Sequence, residues 1–223
     1  KYFGAAAFSD AGCFMAIGQR LLQYDLLYVD VWDNKAPGIF FIHALAQGIS
    51  SHVNVDYPQW VSLGFLLISL SLVLFNHNWK TPNLLWFLTG LVFLFHWLKT
   101  WEVFYVGAYT EEWGIFLIIA ALALVVNQKK KLAYIVSGFL FGYAVFIKEP
   151  FIFFILPFWG YWFLQQKTSF KYIMYWHLSA AIPWGAFIVI YAIKGQFQAL
   201  WMYWKSAFLY AGGEAGSWQK VNG

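Results

Sequence analysis

Apolar runs separated by short polar stretches fill the chain from position 59 to 193, at roughly 59–75, 83–98, 113–126, 132–147, 151–164 and 172–193. Most are shorter than the ~20 apolar residues a helix needs to cross a bilayer, so their ends must reach into polar flanks or span a thin region. Six spans are predicted. The preceding segment has another pattern. Residues 11–24 place Phe14, Ile17, Leu21 and Tyr24 at steps of three or four, with Arg20 and Gln23 elsewhere. This predicts an amphipathic helix, capped by Ser9 or Asp10 and lying along the membrane surface. Residues 25–36 read as loop with a short extended piece at Leu26–Val31, and Pro37 opens a second short helix, GIFFIHALAQGIS. Beyond the last run, Phe197, Leu200, Trp201, Trp204 and Phe208 recur at helical steps and predict an aromatic interfacial helix over 196–211, followed by a Gly-rich tail expected to be mobile or truncated.

Composition makes the class explicit. The chain is 61% hydrophobic, 23% aromatic and 11% charged, with a mean hydropathy of +0.59. That is far from the roughly 45–50% apolar and roughly 25% charged residues usual in soluble domains. The expected fold is therefore all-α: a polytopic membrane helical bundle of about six transmembrane helices, with short interfacial helices in the first external loop. It divides into an external loop at 1–56, a transmembrane bundle at 57–195, and an interfacial helix with tail at 196–223. The net charge of +4 and pI near 9 are read as basic cytoplasmic loops rather than a nucleic-acid surface. A single cysteine, Cys13, excludes an internal disulfide and a thiolate-based metal site. Residues 1–9 hold too short an apolar core for an export signal.

Lysine placement orients the expected bundle. The cluster Lys129-Lys130-Lys131 and the pair Lys167 and Lys171 fall two spans apart, hence on one side, and alternation adds Lys80. Those loops contain no acid, while all ten Asp and Glu fall outside them. The acidic face is then external, and for Asp10 and Asp56 to share it the 37–50 helix must be interfacial or re-entrant.

Four of the ten acids, Asp10, Asp25, Asp30 and Asp33, join Arg20 and Lys35 within Ser9–Gly38. An aspartate before a short helix ending Gln-Arg-Leu-Leu, then Leu-Tyr-Val-Asp-Val-Trp-Asp-Asn-Lys-Ala-Pro-Gly, then Thr-Glu-Glu opening a span, then Gly-Phe-Leu-Phe-Gly-Tyr-Ala-Val-Phe-Ile-Lys-Glu-Pro, resembles the multispan glycosyltransferases of the GT-C class. The protein O-mannosyltransferases and the bacterial aminoarabinose transferase are the branch most similar, over about residues 9–195. The resemblance implies transfer of a sugar from a polyprenyl-phosphate donor at the external, periplasmic or luminal membrane face. It implies that Asp10 is the catalytic carboxylate and that Lys35 faces the donor phosphate. The family's Lys-Pro-Pro motif reads Lys35-Ala36-Pro37-Gly38 here. It also implies a transmembrane helix before the aspartate, so the chain is expected to be partial, completed by more of the same chain or by further membrane subunits.

The residue chemistry suits such a reaction. Glycosyl transfer needs a base for the acceptor and cations for the departing phosphate. Asp10 can be the first; Lys35, Arg20 and Lys148 can be the second. Asp30, Asp33 and Glu111 are further candidate substrate contacts, and Tyr28, Trp32 and Tyr109 could stack on a sugar. Each has a plainer alternative: Asp10 as a helix cap, Asp30 and Asp33 as solvated loop acids, Lys35 as a headgroup anchor, Glu111 or Glu112 as a helix N-terminal acid, and Lys148 as an ion-pair partner of its neighbour Glu149. No two of the five histidines have metal-ligand spacing; no cofactor is assigned, and a divalent cation near Asp10 is left open. The alternative function is a non-catalytic membrane subunit or lipid-carrier transporter. Charges that avoid the span centres favour the enzyme.

Overall fold

The computed structural model describes residues 10–49, 110–127, 130–165 and 168–211. Within them the chain is all-helical: α1 (Asp10–Leu22), α2 (Gly38–Ile49), α3 (Thr110–Asn127), α4 (Lys131–Ile147), a 3-10 helix (Glu149–Phe154), α5 (Ile155–Gln165), α6 (Phe170–Ala180), α7 (Ile182–Ile193) and α8 (Phe197–Ala211). An isolated bridge between Leu27 and Val31 is all that remains of the expected extended piece. The runs at 59–75 and 83–98, and the tail from 212, lie outside the described residues.

Two of the remaining apolar runs are single helices, of 18 residues in α3 and 17 in α4. The other two differ from expectation. The 151–164 run starts as 3-10 helix, with Pro150 at its beginning, and turns α-helical only at Ile155. The 172–193 run breaks at Ala181, because Pro183 offers no amide hydrogen and its ring crowds the carbonyl one turn back; α6 and α7 meet at 43°. Among the described residues no single helix is long and apolar enough to cross a membrane, whereas the bent α6–α7 pair together meets that requirement.

α4 is the centre of the packing. It lies against α3 and α6 along much of its length and also touches α2, α7 and the 3-10 helix. Gly138 and Gly142 make the α6 approach possible, since a methyl group at either would overlap the backbone of Trp176 or Ala180. Ser137 donates to the Ala121 carbonyl at 2.6 Å and accepts the Trp176 indole N–H at 2.9 Å, tying α3, α4 and α6 with one hydroxyl. Phe141, Phe158 and Trp162 close around the fully buried Trp176, with ring centroids 4.8, 4.9 and 5.2 Å from it.

The two ends of α4 are chemically unlike. At one end Lys131 and Lys171 lie over the same ring, that of Tyr175, at 4.6 and 5.8 Å from its centroid. At the other, Lys148 and Glu149 follow the helix and face Glu111 and α8. α1 and α2 pack together, the Gln47 amide donating to the Met15 carbonyl at 2.7 Å, and α2 carries them to α4.

Candidate functional site

The site is built from the loop between α1 and α2. α1 buries Phe14 and Ile17, part of the expected stripe, and ends where Tyr24 turns to a φ of 69°. Tyr24 N–H then bonds Leu21 at 3.1 Å and Asp25 N–H bonds Arg20 at 3.2 Å, the paired bonds of a Schellman cap. The Arg20 guanidinium closes on the Asp25 carboxylate over the same turn. A second positive φ, 63° at Tyr28, reverses the chain. Asp30 holds that reversal by accepting the Leu26 N–H at 2.7 Å, and the Tyr28 N–H reaches the Val31 carbonyl at 2.6 Å.

The reversal drives Leu27 and Tyr28 inward, where both are buried. There the loop is held from three helices. Tyr191 of α7 donates its hydroxyl to the Leu27 carbonyl. Tyr203 of α8 stacks on Tyr28 at 4.3 Å and 16°, while its hydroxyl donates to the Glu149 carboxylate. Tyr143 of α4 donates to the Gly38 carbonyl at 3.2 Å. Gly38 itself lies so close to α4 that a Cβ would stand 2.7 Å from the Phe146 carbonyl oxygen. Burial holds the Tyr28 phenol well above its ordinary pKa, with Tyr203, Glu149, Tyr191 and Asp33 acting in the same direction. Burial and then the Glu149 charge raise Tyr203 likewise. Both remain neutral donors.

Lys35 sits half-buried on this loop. Its N–H donates to Asp33 Oδ1 at 2.9 Å and its carbonyl accepts the Tyr28 hydroxyl at 2.6 Å. Asp33 Oδ2 also receives the Cys13 thiol, at 3.4 Å, which links the loop back to α1. Asp10 is the first residue of α1, and its side chain lies outside what is described. Glu111, in the first turn of α3, pairs with Lys148 and accepts the Thr110 hydroxyl at 2.9 Å. Burial alone would raise its carboxyl, but the bonds from Lys148 and Thr110 and the Lys148 charge leave it below its ordinary value.

Lys35 thus shares an end of α4 with Glu111, Lys148 and Glu149, because Gly38, three residues on, packs against Phe146 and Ile147. Arg20 is placed elsewhere. It lines an outward cleft of about 580 Å³ between α1 and the Asp30–Trp32 turn, with Gln19 and Gln23 beside it. Two sequence expectations are corrected. Tyr28 is not a sugar platform, because its ring is covered by Tyr203; Trp32 is about half exposed, and Tyr109 lies outside the described residues. Lys148 pairs with Glu111, not with its neighbour Glu149. Sequence reasoning passed over Tyr143, Tyr191 and Tyr203, whose apolar surroundings gave no sign that their hydroxyls serve the loop. Among the described residues no three His, Cys, Asp or Glu side chains converge to hold a metal ion. Comparison of the chain with protein-family models, curated proteins and solved structures finds no match.

Proposed function

We propose that this chain is a polytopic membrane glycosyltransferase of the GT-C type, moving a sugar from a polyprenyl-phosphate donor to an acceptor at the external membrane face. Asp10 is the base, Lys35 meets the donor phosphate, and Lys148, held by Glu111, adds positive charge to the same end of the bundle. Asp30 and Asp33 shape the loop that presents Lys35, whereas Arg20, paired with Asp25, lines the separate cleft beside α1. The membrane part of the reading is supported by large apolar side chains exposed along α4 to α8, among them Leu132, Phe153, Phe163, Leu178, Ile193 and Phe208. Such a surface is far more apolar than water-facing helices carry, and hydrocarbon is the solvent that suits it. α8, with Trp201, Tyr203 and Trp204, lies at the interface, where Trp and Tyr are at home.

One observation carries the catalytic reading. The Lys35-Ala36-Pro37-Gly38 motif and the Lys148-Glu149-Pro150 motif, distant in sequence, are drawn to one end of α4 by the Tyr143–Gly38 bond, which spans 105 positions. Two lysines are thereby brought to one end of α4 among the acids Asp33, Glu111 and Glu149, and transfer from a phosphate carrier needs both kinds of group, cations for the departing phosphate and a carboxylate base for the acceptor.

The test is sugar transfer from a panel of radiolabelled polyprenyl-phosphate sugars by the lipid-reconstituted protein. Asp10→Asn is expected to lower turnover by about 10²–10⁴-fold while donor binding persists, and Lys35→Ala to weaken donor affinity. Absence of turnover with every donor, or parental activity in both folded variants, would overturn the reading in favour of a non-catalytic membrane subunit.

A further inference from the structure

We propose that Tyr203 and Glu149 are a positioning pair for Lys35, acting through Tyr28. Glu149 fixes the Tyr203 hydroxyl, and the Tyr203 ring lies flat on Tyr28 at 4.3 Å. Tyr28 in turn donates to the Lys35 carbonyl at 2.6 Å. The helix that makes this contact is otherwise peripheral: in α8 Leu200 and Tyr203 are fully buried, while Trp201, Met202 and Phe208 are exposed.

Simple packing would be served by phenylalanine at these positions, since each buried hydroxyl costs free energy unless bonded. Here the hydroxyls are placed with purpose. Tyr28 bonds Lys35, Tyr191 bonds Leu27, and Tyr203 bonds the acid that follows Lys148. All three therefore bear on the 27–35 reversal or on the chain facing it. Asp33 grips Lys35 N–H from the other side at 2.9 Å, so the peptide groups flanking the Lys35 Cα are both held. A side chain whose Cα is held on both flanks searches fewer positions and meets a ligand at lower entropic cost. That this ligand is the donor phosphate rests on the reading above; the positioning itself does not.

The experiment measures the rate at which a water-soluble acylating reagent modifies the Lys35 amine in the intact protein, read by peptide mass spectrometry. Lys131, at the opposite end of α4, is the internal reference. Tyr203→Phe, which keeps the stack and removes the hydroxyl, and Tyr28→Phe, which removes the bond to Lys35 directly, are each expected to speed Lys35 modification about fivefold, the factor one lost hydrogen bond supplies. Glu149→Gln is expected to fall between them and the parent. The Lys131 rate stays constant. Unchanged Lys35 rates in whichever of these variants fold would overturn the proposal.

A double-mutant cycle adds the functional arm. Tyr203→Phe is expected to raise the donor KM about fivefold with kcat little changed, and to have no further effect when Lys35 is already alanine. Additive effects would show that Tyr203 acts by another route and overturn the proposal. If no donor is turned over, the glycosyltransferase reading fails, and the acylation rates still decide the positioning.

Discussion

Lys148, the residue after α4, forms an ion pair with Glu111 in the first turn of α3, so the α3–α4 hairpin is closed at the end that faces Tyr203 and the Lys35 loop. Both side chains are more than a third exposed, at 37% and 53%, and solvent screening limits the pair to about 0.5 kcal/mol. The Glu111 carboxyl lies below its ordinary 4.5 in the fold, so its contribution is full above that value and is lost as pH falls below it. Glu111→Gln is therefore expected to lower the midpoint of thermal unfolding slightly at pH 7. It should leave it unchanged at acid pH where the parent carboxyl is protonated. Melting curves of the solubilised parent and variant across that range check both statements.

Gly38 gives a sharper case. A methyl group there would sit 2.7 Å from the Phe146 carbonyl oxygen and 2.8 Å from the Ile147 nitrogen, both rigid backbone atoms. Gly38→Ala must push the loop off α4, at a cost of about 1–3 kcal/mol. Donor affinity should fall with it, because Lys35 moves too. Gly160, inside α5, has nothing within 4 Å of the same added atom, so Gly160→Ala should stabilise by about 0.5–1 kcal/mol through helix propensity alone. Chemical denaturation of the two variants side by side separates collision from propensity; equal effects would refute the packing argument.

What the sequence revealed and what it hid follow from the range of the forces involved. Helices announced themselves through local periodicity: the steps from Phe197 to Phe208 mark α8, and Pro37 marks the start of α2. Partnerships across the fold did not. Lys148 and Glu149 look like a pair in sequence, but Lys148 has extended backbone, φ −156° and ψ 115°. Neighbouring side chains then diverge, and one reaches Glu111 while the other reaches Tyr203. Tyr28 looked like an exposed ring in a polar loop, yet its φ of 63° turns it inward beneath Tyr203. Nothing in the order of residues encodes a left-handed tyrosine, because its cost is repaid by contacts with α7 and α8 more than 150 positions away, the Leu27–Tyr191 bond among them at 164.

Ser137 predicts a core effect of different origin. Its hydroxyl is fully buried and serves two partners, the Ala121 carbonyl and the Trp176 indole. Ser137→Ala strands the Trp176 N–H in an apolar interior, at a cost of about 1–3 kcal/mol. Ser206, on half-buried α8, donates only to the Tyr203 carbonyl at 2.7 Å, within its own helix. Ser206→Ala should be neutral or slightly stabilising. A reversible unfolding series on both variants tests the contrast, which fails if Ser206→Ala is the costlier change.

His43 sets the expected response to mild acid. It is buried against Phe14 in the α1–α2 contact, 5.8 Å between ring centroids, and neither ring nitrogen has a hydrogen-bond partner among the described residues. Burial lowers its pKa from 6.5 to about 4. The folded state therefore holds a neutral imidazole over a range where the unfolded chain takes up a proton. Stability is unaffected above pH 6.5 and falls as pH drops from 6.5 toward 4, by up to about 3 kcal/mol. His43→Leu, close in volume and without polar atoms, is expected to cost under about 1.5 kcal/mol at neutral pH. It should also flatten the decline below pH 6.5, so that parent and variant converge or cross on acidification. Unfolding midpoints measured at half-unit intervals from neutral to acid pH decide the matter: an unchanged slope in His43→Leu would mean that another group carries the acid sensitivity.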